Sequence, residues 1–270
     1  MQAISDEVYK QINNAVYNEP GDTWWDENHF LHLLKSSVNP ARVGYFRTLL
    51  DQLLLKFDYR GVPALDVGCG GGILAEEFAA MGFRVTGIDP SEQSLNMARQ
   101  HAHSMDLSIH YQQGTGESIP FADNAYPVVY CCDVLEHVRD LPKVIGEIYR
   151  VTKPGGVFFF DTLNRTFVSK LVAIKIWQEW TSTALMPPRL HEWRMFIRPE
   201  ELKGLLVQAG FEFKEFRGTS PDVSIPKMIS LLRKRAKGTI GYKELGQRFK
   251  LVESNDLKIL YMGYAVKPLQ

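Results

Sequence analysis

Short apolar runs alternate with amphipathic segments over most of the chain. Runs rich in Val, Ile, Leu and Phe predict strands, and the segments that follow them carry apolar residues at spacings of three and four, which predicts helices. The predicted strands lie at 64–67, 84–88, 108–112, 128–132, 157–163, 211–216 and 257–266. Strands that alternate with helices favour a parallel sheet covered on both faces. The sequence therefore predicts an α/β protein.

Three segments depart from this alternation. Residues 165–198 interrupt it with a predicted helix and an aromatic segment, and an insertion of this size is typical of a lid. Residues 219–250 are polar, basic and partly helical. We predict an N-terminal helical cap over residues 1–60 and one domain over 61–270 that contains the other two segments. In the cap, apolar residues recur at helical spacing at Leu49, Leu50, Leu53, Leu54 and Phe57.

The overall charge argues against a general polyanion-binding protein. The chain has 270 residues, with 31 basic and 31 acidic side chains, and phosphate binding requires a cationic surplus, so we expect no nucleic-acid partner. The charge is nevertheless uneven, because residues 1–30 carry six acids and one base, whereas residues 227–250 carry eight bases and one acid. A basic amphipathic helix near 225–236 either contacts an anionic membrane or packs on the domain with a solvated basic face.

Cysteine usage and the N-terminus predict the compartment. The three cysteines, at positions 69, 131 and 132, form neither a CxxC pattern nor a disulfide framework, which fits a reducing compartment. The first residues lack the basic and apolar regions of a signal peptide, and no run approaches the roughly 18 apolar residues that span a bilayer. We expect a cytoplasmic protein, with peripheral membrane contact as an open alternative.

The clearest chemical signal is a glycine cluster at the end of the first predicted strand. The sequence LDVGCGGGIL places Gly68, Gly70 and Gly72 between a strand and a helix. Asp66 lies at the end of that strand. Glycines allow the backbone to approach a ligand closely, and a helix N-terminus offers free N–H groups. A nicotinamide cofactor is disfavoured, because the third glycine of the GxGxxG spacing would fall on Ile73.

A second signal is Asp89, which ends the second predicted strand 21 residues after Gly68. An acidic side chain there can accept hydrogen bonds from both hydroxyls of a ribose. The glycine spacing and the two acidic strand ends resemble the S-adenosylmethionine (SAM) motif of class I methyltransferases. In that class the loop after the third strand cradles adenine. The resemblance therefore implies that Thr115, Gly116 and Glu117 line the adenine site here. A surface turn is the alternative for this loop.

Further patches resemble one family, the ubiquinone-biosynthesis O-methyltransferases, which methylate polyprenylated catechols and hydroxyphenols. The patches WWD, NPARVGY, DVLEHV, TLNR and FI begin at Trp24, Asn39, Asp133, Thr162 and Phe196. The resemblance covers most of residues 23–210. It implies a Rossmann-like, seven-stranded, mostly parallel sheet with helices on both faces.

The resemblance also implies a cofactor site for SAM. The residues that it assigns to SAM are Arg42, Gly68, Asp89 and Cys132, the last through its backbone, and Asp66, Gly70 and Gly72 complete the predicted site. Arg42 suits the methionyl carboxylate because a guanidinium forms bidentate hydrogen bonds, whereas a surface arginine that caps a helix is the alternative. The chain departs from the family at residues 189–193 and in its C-terminal third, so the reaction type carries over better than the substrate.

The acceptor side requires a group that removes a proton. A phenol with a pKa of about 10 is mostly protonated at neutral pH. Asp133, Glu136 and His137 have helical spacing beyond the fourth strand and could hold Mg²⁺, which would lower the pKa of catechol oxygens. Alternatively, Asp133 and Glu136 form a capping box and His137 is a general base. His191 in the insertion is a second candidate base, with packing against aromatic residues as its alternative.

These patterns together predict an enzyme. We expect a SAM-dependent O-methyltransferase of a small hydrophobic aromatic molecule, phenolic or catecholic, with a prenylquinone precursor as one option. The alternative is a carbon or nitrogen methyltransferase of a secondary metabolite, such as an indole, on the same fold. A non-catalytic module would have no need of Arg42, Asp89 and the residues 133–137 together. The sequence does not indicate the oligomeric state.

Overall fold

The structure is a computed structural model, and it describes residues 4–19, 23–53 and 59–269. Leu54 and Phe57 of the predicted apolar series lie outside the described residues. The N-terminal region forms short helical elements that lead into one longer helix. These elements are α1 (Asp6–Tyr9), a 3₁₀ turn (Asn14–Asn18), a π-helical turn (Leu34–Val38) and α2 (Asn39–Leu53).

One sheet organises the rest of the chain. Its strands are β1 (Pro63–Val67), β2 (Arg84–Asp89), β3 (His110–Gln113), β4 (Tyr126–Cys131), β5 (Thr152–Leu163), β6 (Glu212–Pro221), β7 (Leu251–Ser254) and β8 (Leu260–Val266). The order across the sheet is β3-β2-β1-β4-β5-β8-β6-β7. The first five strands in this order are parallel, and the last three pair antiparallel. The α/β class and the mostly parallel sheet are confirmed, but the sheet has eight strands rather than seven, because β7 was not predicted.

The remaining helices follow the strands. They are α3 (Ile73–Ala80), α4 (Glu92–Ser104), α5 (Leu141–Val151), α6 (Phe167–Ser169, continued by a π-helix over Lys170–Glu179), α7 (Pro199–Ala209), α8 (Ile225–Ala236) and α9 (Tyr242–Arg248). The Ser91 hydroxyl accepts a hydrogen bond from the Ser94 N–H at 3.1 Å and so caps the N-terminus of α4. None of the described helices is long and apolar enough to cross a membrane.

Two apolar layers bury the faces of the sheet. Along β5, Phe158 and Phe160 point into the layer formed with α5 and α7, whereas Phe159 points into the layer formed with α2, α3 and α4. All three side chains are fully buried. A central parallel strand is apolar on both faces, which explains the continuous run FFF that predicted it. The predicted placement of helices on both faces is therefore confirmed.

The basic segment packs on the protein through the apolar face of α8. Met228, Leu231 and Leu232 are buried against Leu185 of the insertion and against α9. Near the end of α8, Arg233 and Lys234 are exposed, whereas Arg235 is half-buried with its guanidinium 3.7 Å from the centroid of the Tyr242 ring. Of the two interpretations of this amphipathic helix, packing on the domain is the one that the structure shows.

The N-terminal region is joined to both other irregular segments. Arg189 of the insertion donates from Nε to the Gln11 carbonyl at 3.0 Å and from Nη2 to the Lys10 carbonyl at 2.7 Å. Lys243 of the basic segment forms an ion pair with Glu27, with 2.6 Å between Nζ and Oε2. The acidic and basic ends of the chain, whose imbalance the sequence showed, therefore meet in the folded protein.

Candidate active site

The carboxyl ends of the parallel strands open into a cavity of about 530 Å³. Cavities of this size in proteins commonly hold small ligands. The turn after β1, the end of β2, the loop after β3 and the residues after β4 line it from the sheet side. The N-terminal region covers it with Tyr9, Asn14, Tyr17 and Trp24. This is the edge of an α/β sheet at which ligands bind.

The glycine turn at the cavity is shaped by close packing as well as by backbone conformation. Gly68, Gly70 and Gly72 have φ angles of 80°, 50° and 84°, which are costly for any residue with a side chain. A Cβ atom on Gly70 would lie 2.3 Å from the indole ring of Trp24. Of the predicted glycines, Gly68 lines the cavity, whereas Gly70 packs against the Trp24 ring and Gly72 against Tyr111.

Two acidic residues lie beneath and beside this turn. Asp66 is buried, lines the cavity, and has an Oδ2 atom without a hydrogen-bond partner among the described residues. Burial raises the pKa of Asp66 well above its usual range. Asp89 accepts hydrogen bonds from the Gly70 N–H at 2.9 Å and from the Ser91 N–H at 2.8 Å. An unpaired buried carboxylate oxygen that faces a cavity favours a ligand with donor groups.

The other predicted cofactor residues line the same cavity. Thr115, Gly116 and Glu117 form a turn in which the Ser118 N–H donates to the Thr115 carbonyl at 3.2 Å, and Cys132 follows β4 on the opposite wall. The loop is therefore both a surface turn and a cavity wall, so the two interpretations of it are compatible.

Arg42 lies almost fully buried in α2, between the cavity and two carboxylates. Its guanidinium forms ion pairs with Asp133 and Asp161, and Nη1 donates to Asn39 Oδ1 at 3.0 Å. The two carboxylates raise the pKa of Arg42 further above its usual range, although burial opposes them. Each Nη carries a second proton, which can be offered to a carboxylate in the cavity. Arg42 is a buried structural cation here and not a surface cap.

Asp133 does not cap a helix, so the capping-box interpretation is wrong. Its carboxylate binds Arg42, and the segment after β4 is only a short 3₁₀ turn over Leu135–His137 whose N-cap, Val134, makes no side-chain hydrogen bond. Asp133 has a φ of 55°, a backbone conformation that residues other than glycine rarely adopt. Asp161 Oδ1 accepts a hydrogen bond from the Asp133 N–H at 2.8 Å, which holds this strained turn in place.

A second, mainly apolar cavity of about 140 Å³ adjoins the first. The π-helical turn before α2, the insertion and the end of the basic segment form its walls. Tyr17, Leu34, Asp133 and His137 line both cavities. These four residues therefore mark the place where a ligand in one cavity would meet a ligand in the other.

His137 lies at this junction. Its Nδ1 is 3.3 Å from Asn14 Oδ1, and because an amide oxygen only accepts, Nδ1 carries the proton and Nε2 has the free electron pair. Burial lowers the pKa of His137 to about 4, so the imidazole is neutral at physiological pH. The neutral ring offers the free electron pair of Nε2, and the same burial that keeps it neutral also makes it a weaker base than a free imidazole.

Glu136 and His191 lie beside His137. One ligand atom of each of the three side chains lies within 4.8 Å of the others. The Glu136 carboxylate accepts a hydrogen bond from the Thr162 hydroxyl at 2.8 Å, and burial with the charge of Asp133 raises the pKa of Glu136 to about 8. The ring centroids of His137 and His191 are 5.1 Å apart. Burial lowers the pKa of His191, whose Nδ1 has no hydrogen-bond partner among the described residues.

Several residues of this site were not predicted. Asp161 and Thr162 end β5 and hold Asp133 and Glu136, respectively. Two polar residues at the end of an otherwise apolar strand were the signal that could have revealed them. Asn14 and Tyr17 had no such signal, because they lie in the N-terminal region and reach the site only through the tertiary fold.

The fold and the cavity define a class. A glycine turn after the first strand of a doubly wound sheet, with acidic residues at the ends of β1 and β2, is the arrangement of class I SAM-dependent methyltransferases. Asp66, Asp89 and Asp133 all line this cavity. The protein belongs to this class of enzymes.

Comparisons with known proteins identify the family. Residues 65–160 match the family model described as "Methyltransferase domain". The chain is 39% identical over 212 residues to a protein of Haemophilus ducreyi named ubiquinone biosynthesis O-methyltransferase, covering 76% of this chain and 85% of the relative. It is 35% identical over 249 residues to the protein of that name from Hahella chejuensis, with 92% and 90% covered. The chain belongs to the ubiquinone biosynthesis O-methyltransferase family, as the sequence motifs indicated.

A solved structure supports the fold. The chain superposes on a SAM-dependent methyltransferase from Aquifex aeolicus with a TM-score of 0.53 and 16% identity, over 87% of this chain and 92% of the other. The alternative of a carbon or nitrogen methyltransferase is not favoured, since the relatives are named O-methyltransferases.

Asp89 gives a testable pH dependence. Burial raises the pKa of Asp89 to about 6, and only its ionised form would accept hydrogen bonds from both hydroxyls of a bound ribose, as predicted from the sequence. We expect the Kd for SAM to be constant above about pH 7 and to rise by up to about tenfold per pH unit below about pH 6. Calorimetric titration across this range measures it. An Asp89→Asn variant should bind more weakly and lack this dependence, and a wild-type Kd that stays constant down to pH 5 would contradict the assignment.

Proposed function

We propose that this protein methylates a hydroxyl group on a phenolic or catecholic ring that carries an apolar substituent, as in prenylquinone precursors. One observation carries the proposal: a mainly apolar cavity meets the cofactor cavity at His137. An aromatic ring at the junction would place its hydroxyl beside the imidazole, while its apolar substituent extends between the insertion and the N-terminal region. The names of the relatives support the same substrate class.

In the proposed reaction, the residues of this chain orient the cofactor and the acceptor and supply a proton acceptor. When bound, SAM supplies an electrophilic methyl group on a positively charged sulfur. Arg42, Asp66, Asp89 and the glycine turn would hold that cofactor in the larger cavity. His137 Nε2 takes the hydroxyl proton, Asn14 fixes the orientation of the ring, and the apolar walls exclude water.

A divalent cation is a second way to activate the hydroxyl. The sequence set of Asp133, Glu136 and His137 is not the cluster that the structure brings together, because Asp133 is bound to Arg42 and His191 takes its place. One carboxylate and two imidazoles suit Zn²⁺ or another transition ion better than Mg²⁺, which prefers oxygen ligands. Glu136, His137 and His191 would hold such an ion and supply Lewis-acid activation. We therefore base the proposed chemistry on His137 and leave Mg²⁺ as the less fitting candidate.

A product assay tests the function. The purified protein is incubated with SAM and a panel of catechols, hydroxyquinones and indoles, the catechols with prenyl chains of increasing length. Mass spectrometry should find a gain of one CH₂ on a ring hydroxyl, and turnover should increase with chain length. Parallel reactions with EDTA, followed by added Mg²⁺ or Zn²⁺, test whether turnover requires a divalent cation. Methylation of indole carbon or nitrogen without catechol methylation would overturn the proposal.

We further propose that the insertion contacts a membrane that holds the acceptor. Ala173 and Trp177 of its helix line the apolar cavity. The outer face of the same helix is apolar, and Phe167 is 79% exposed. Lys170 and Lys175 lie on this helix, where they would be attracted to anionic lipid. The exposed apolar residues of this helix are Phe167, Val168, Leu171 and Trp180.

Vesicle flotation tests this contact. We expect the protein to float with phosphatidylglycerol-rich vesicles at low salt. The double variant Phe167→Glu, Leu171→Glu should lose most of this binding, because two negative charges replace exposed apolar side chains that would enter the lipid. Val207→Glu is the matched control, since Val207 is an exposed apolar residue on α7. No flotation of the wild-type protein at low salt, or equal loss with the control, would refute the proposal.

A further inference from the structure

Tyr17 occupies a position to which neither the sequence motifs nor the proposed chemistry assigns a role. It lies in the 3₁₀ turn of the N-terminal region and lines both cavities. Its backbone carbonyl accepts hydrogen bonds from the hydroxyls of Ser91 at 3.0 Å and Ser94 at 2.8 Å. These two hydroxyls belong to the N-terminal end of α4, next to Asp89, so the position of Tyr17 is tied to the cofactor side of the sheet.

The Tyr17 ring is one of a series of rings that leads from the glycine turn to the acceptor cavity. Trp24 packs on Gly70 and Gly71, and Tyr17 stacks on Trp24 with ring centroids 5.7 Å apart at 20°. On the other side, the ring centroid of His137 is 6.0 Å away at 84°. The ring of Tyr17 therefore stands between the cofactor turn and the imidazole at the junction of the cavities.

The surroundings of this ring are strongly acidic. Asp89, Asp133 and Glu136 act on it electrostatically, and together with burial they raise the pKa of Tyr17 above its usual range. The phenol is therefore neutral, and its ring keeps an undisturbed π face. A neutral aromatic face near the carboxylates of Asp89 and Asp133 is an environment that attracts a weakly hydrated cation.

We propose that the ring of Tyr17 recognises the positive charge of SAM and so distinguishes SAM from its neutral product, S-adenosylhomocysteine. The group that transfers its methyl must lie where the two cavities meet, and Tyr17 lines that junction. The contact is strongest while the sulfur is charged and weakens once the methyl group has left, which favours release of the product. This inference rests on the SAM-dependent class of the enzyme and not on the identity of its acceptor.

Binding measurements test the proposal without the acceptor. The Kd values of SAM and S-adenosylhomocysteine are measured by calorimetry for the wild-type protein and for Tyr17→Phe, Tyr17→Leu and Tyr9→Leu. Tyr9 is the matched control because it lines only the cofactor cavity. We expect Tyr17→Leu to raise the Kd of SAM by about tenfold and the Kd of S-adenosylhomocysteine by less than about twofold. Tyr17→Phe should keep both Kd values within about twofold of the wild-type values. In Tyr9→Leu the ratio of the two Kd values should not change.

Other results would overturn the proposal. If Tyr17→Leu raises both Kd values equally, the ring contributes only packing. If it changes neither Kd, the ring does not contact the cofactor. If Tyr17→Phe loses as much SAM affinity as Tyr17→Leu, the hydroxyl is responsible rather than the ring. Should Tyr17→Leu not fold, phenylalanines with increasing numbers of fluorine atoms at position 17 provide the same contrast, since fluorine lowers the negative potential of the ring while keeping its shape. A SAM affinity that does not fall with fluorination would then refute the proposal.

Discussion

Replacing His137 with alanine is expected to lower kcat by about 10²- to 10⁴-fold while leaving the Kd for SAM within about twofold of the wild-type value. In the proposed mechanism the neutral imidazole is the proton acceptor at the junction of the two cavities, whereas the predicted cofactor residues Asp66 and Asp89 line only the larger one. Steady-state kinetics with a prenylated catechol, together with calorimetric binding of SAM, measure both quantities.

The controls separate chemistry from folding. His103→Ala removes an exposed histidine from α4 and should leave kcat unchanged. Asn14→Ala should give an intermediate loss, because the base is present but its ring is no longer oriented by the hydrogen bond to Nδ1. Wild-type turnover in His137→Ala would exclude His137 both as a base and as an essential metal ligand.

Replacing Arg42 with methionine is expected to lower the free energy of unfolding by about 3 kcal/mol, because it leaves the buried Asp161 and the half-buried Asp133 without a counter-ion. The melting temperature should fall by about 10 °C. The loss should become smaller as the pH falls, because burial raises the pKa of Asp161 to about 7 and its protonation removes an uncompensated buried charge. Urea unfolding and thermal melts at several pH values check this prediction.

Arg47 provides the matched control. It lies on the same helix, α2, but its side chain is exposed, so Arg47→Met should change the free energy of unfolding by less than about 0.5 kcal/mol. Adding Asp133→Asn and Asp161→Asn to Arg42→Met should restore part of the lost stability. A full loss of stability that these additions do not reduce would show that the guanidinium acts through packing rather than through charge.

The cofactor half of the protein could be predicted from the sequence because its signals are local. The run from Leu65 to Val67, the glycines after it and Asp89 lie within or beside single elements of secondary structure, and their positions follow from strand and turn preferences. The strand at the edge of the sheet, β7, escaped prediction because it has only four residues and two of them, Val252 and Glu253, are exposed.

The acceptor half depends on contacts between distant residues. Asp133 and Glu136 have the spacing of a capping box, but Arg42, 91 residues earlier in the chain, binds the Asp133 carboxylate. No pattern within residues 133–137 reveals this partner. The amphipathic sequence of α8 likewise fits a helix on a membrane and a helix on a domain equally well, and only the presence of Leu185 and α9 against its apolar face decides between them.

Strand β5 divides the enzyme into two functional halves. On one side of it, Asp161 holds the turn and the guanidinium that belong to the cofactor, and on the other, Thr162 holds Glu136. The strands beyond β5 in the sheet order pair antiparallel, and the insertion and residues 249–260 line the apolar cavity together with the N-terminal region. Evolution can therefore alter the substrate by sequence change in residues 165–198 and 219–254 while the parallel strands keep one cofactor. For enzyme design, a chimaera joined just after β5 would exchange acceptors between relatives without rebuilding the site that binds SAM.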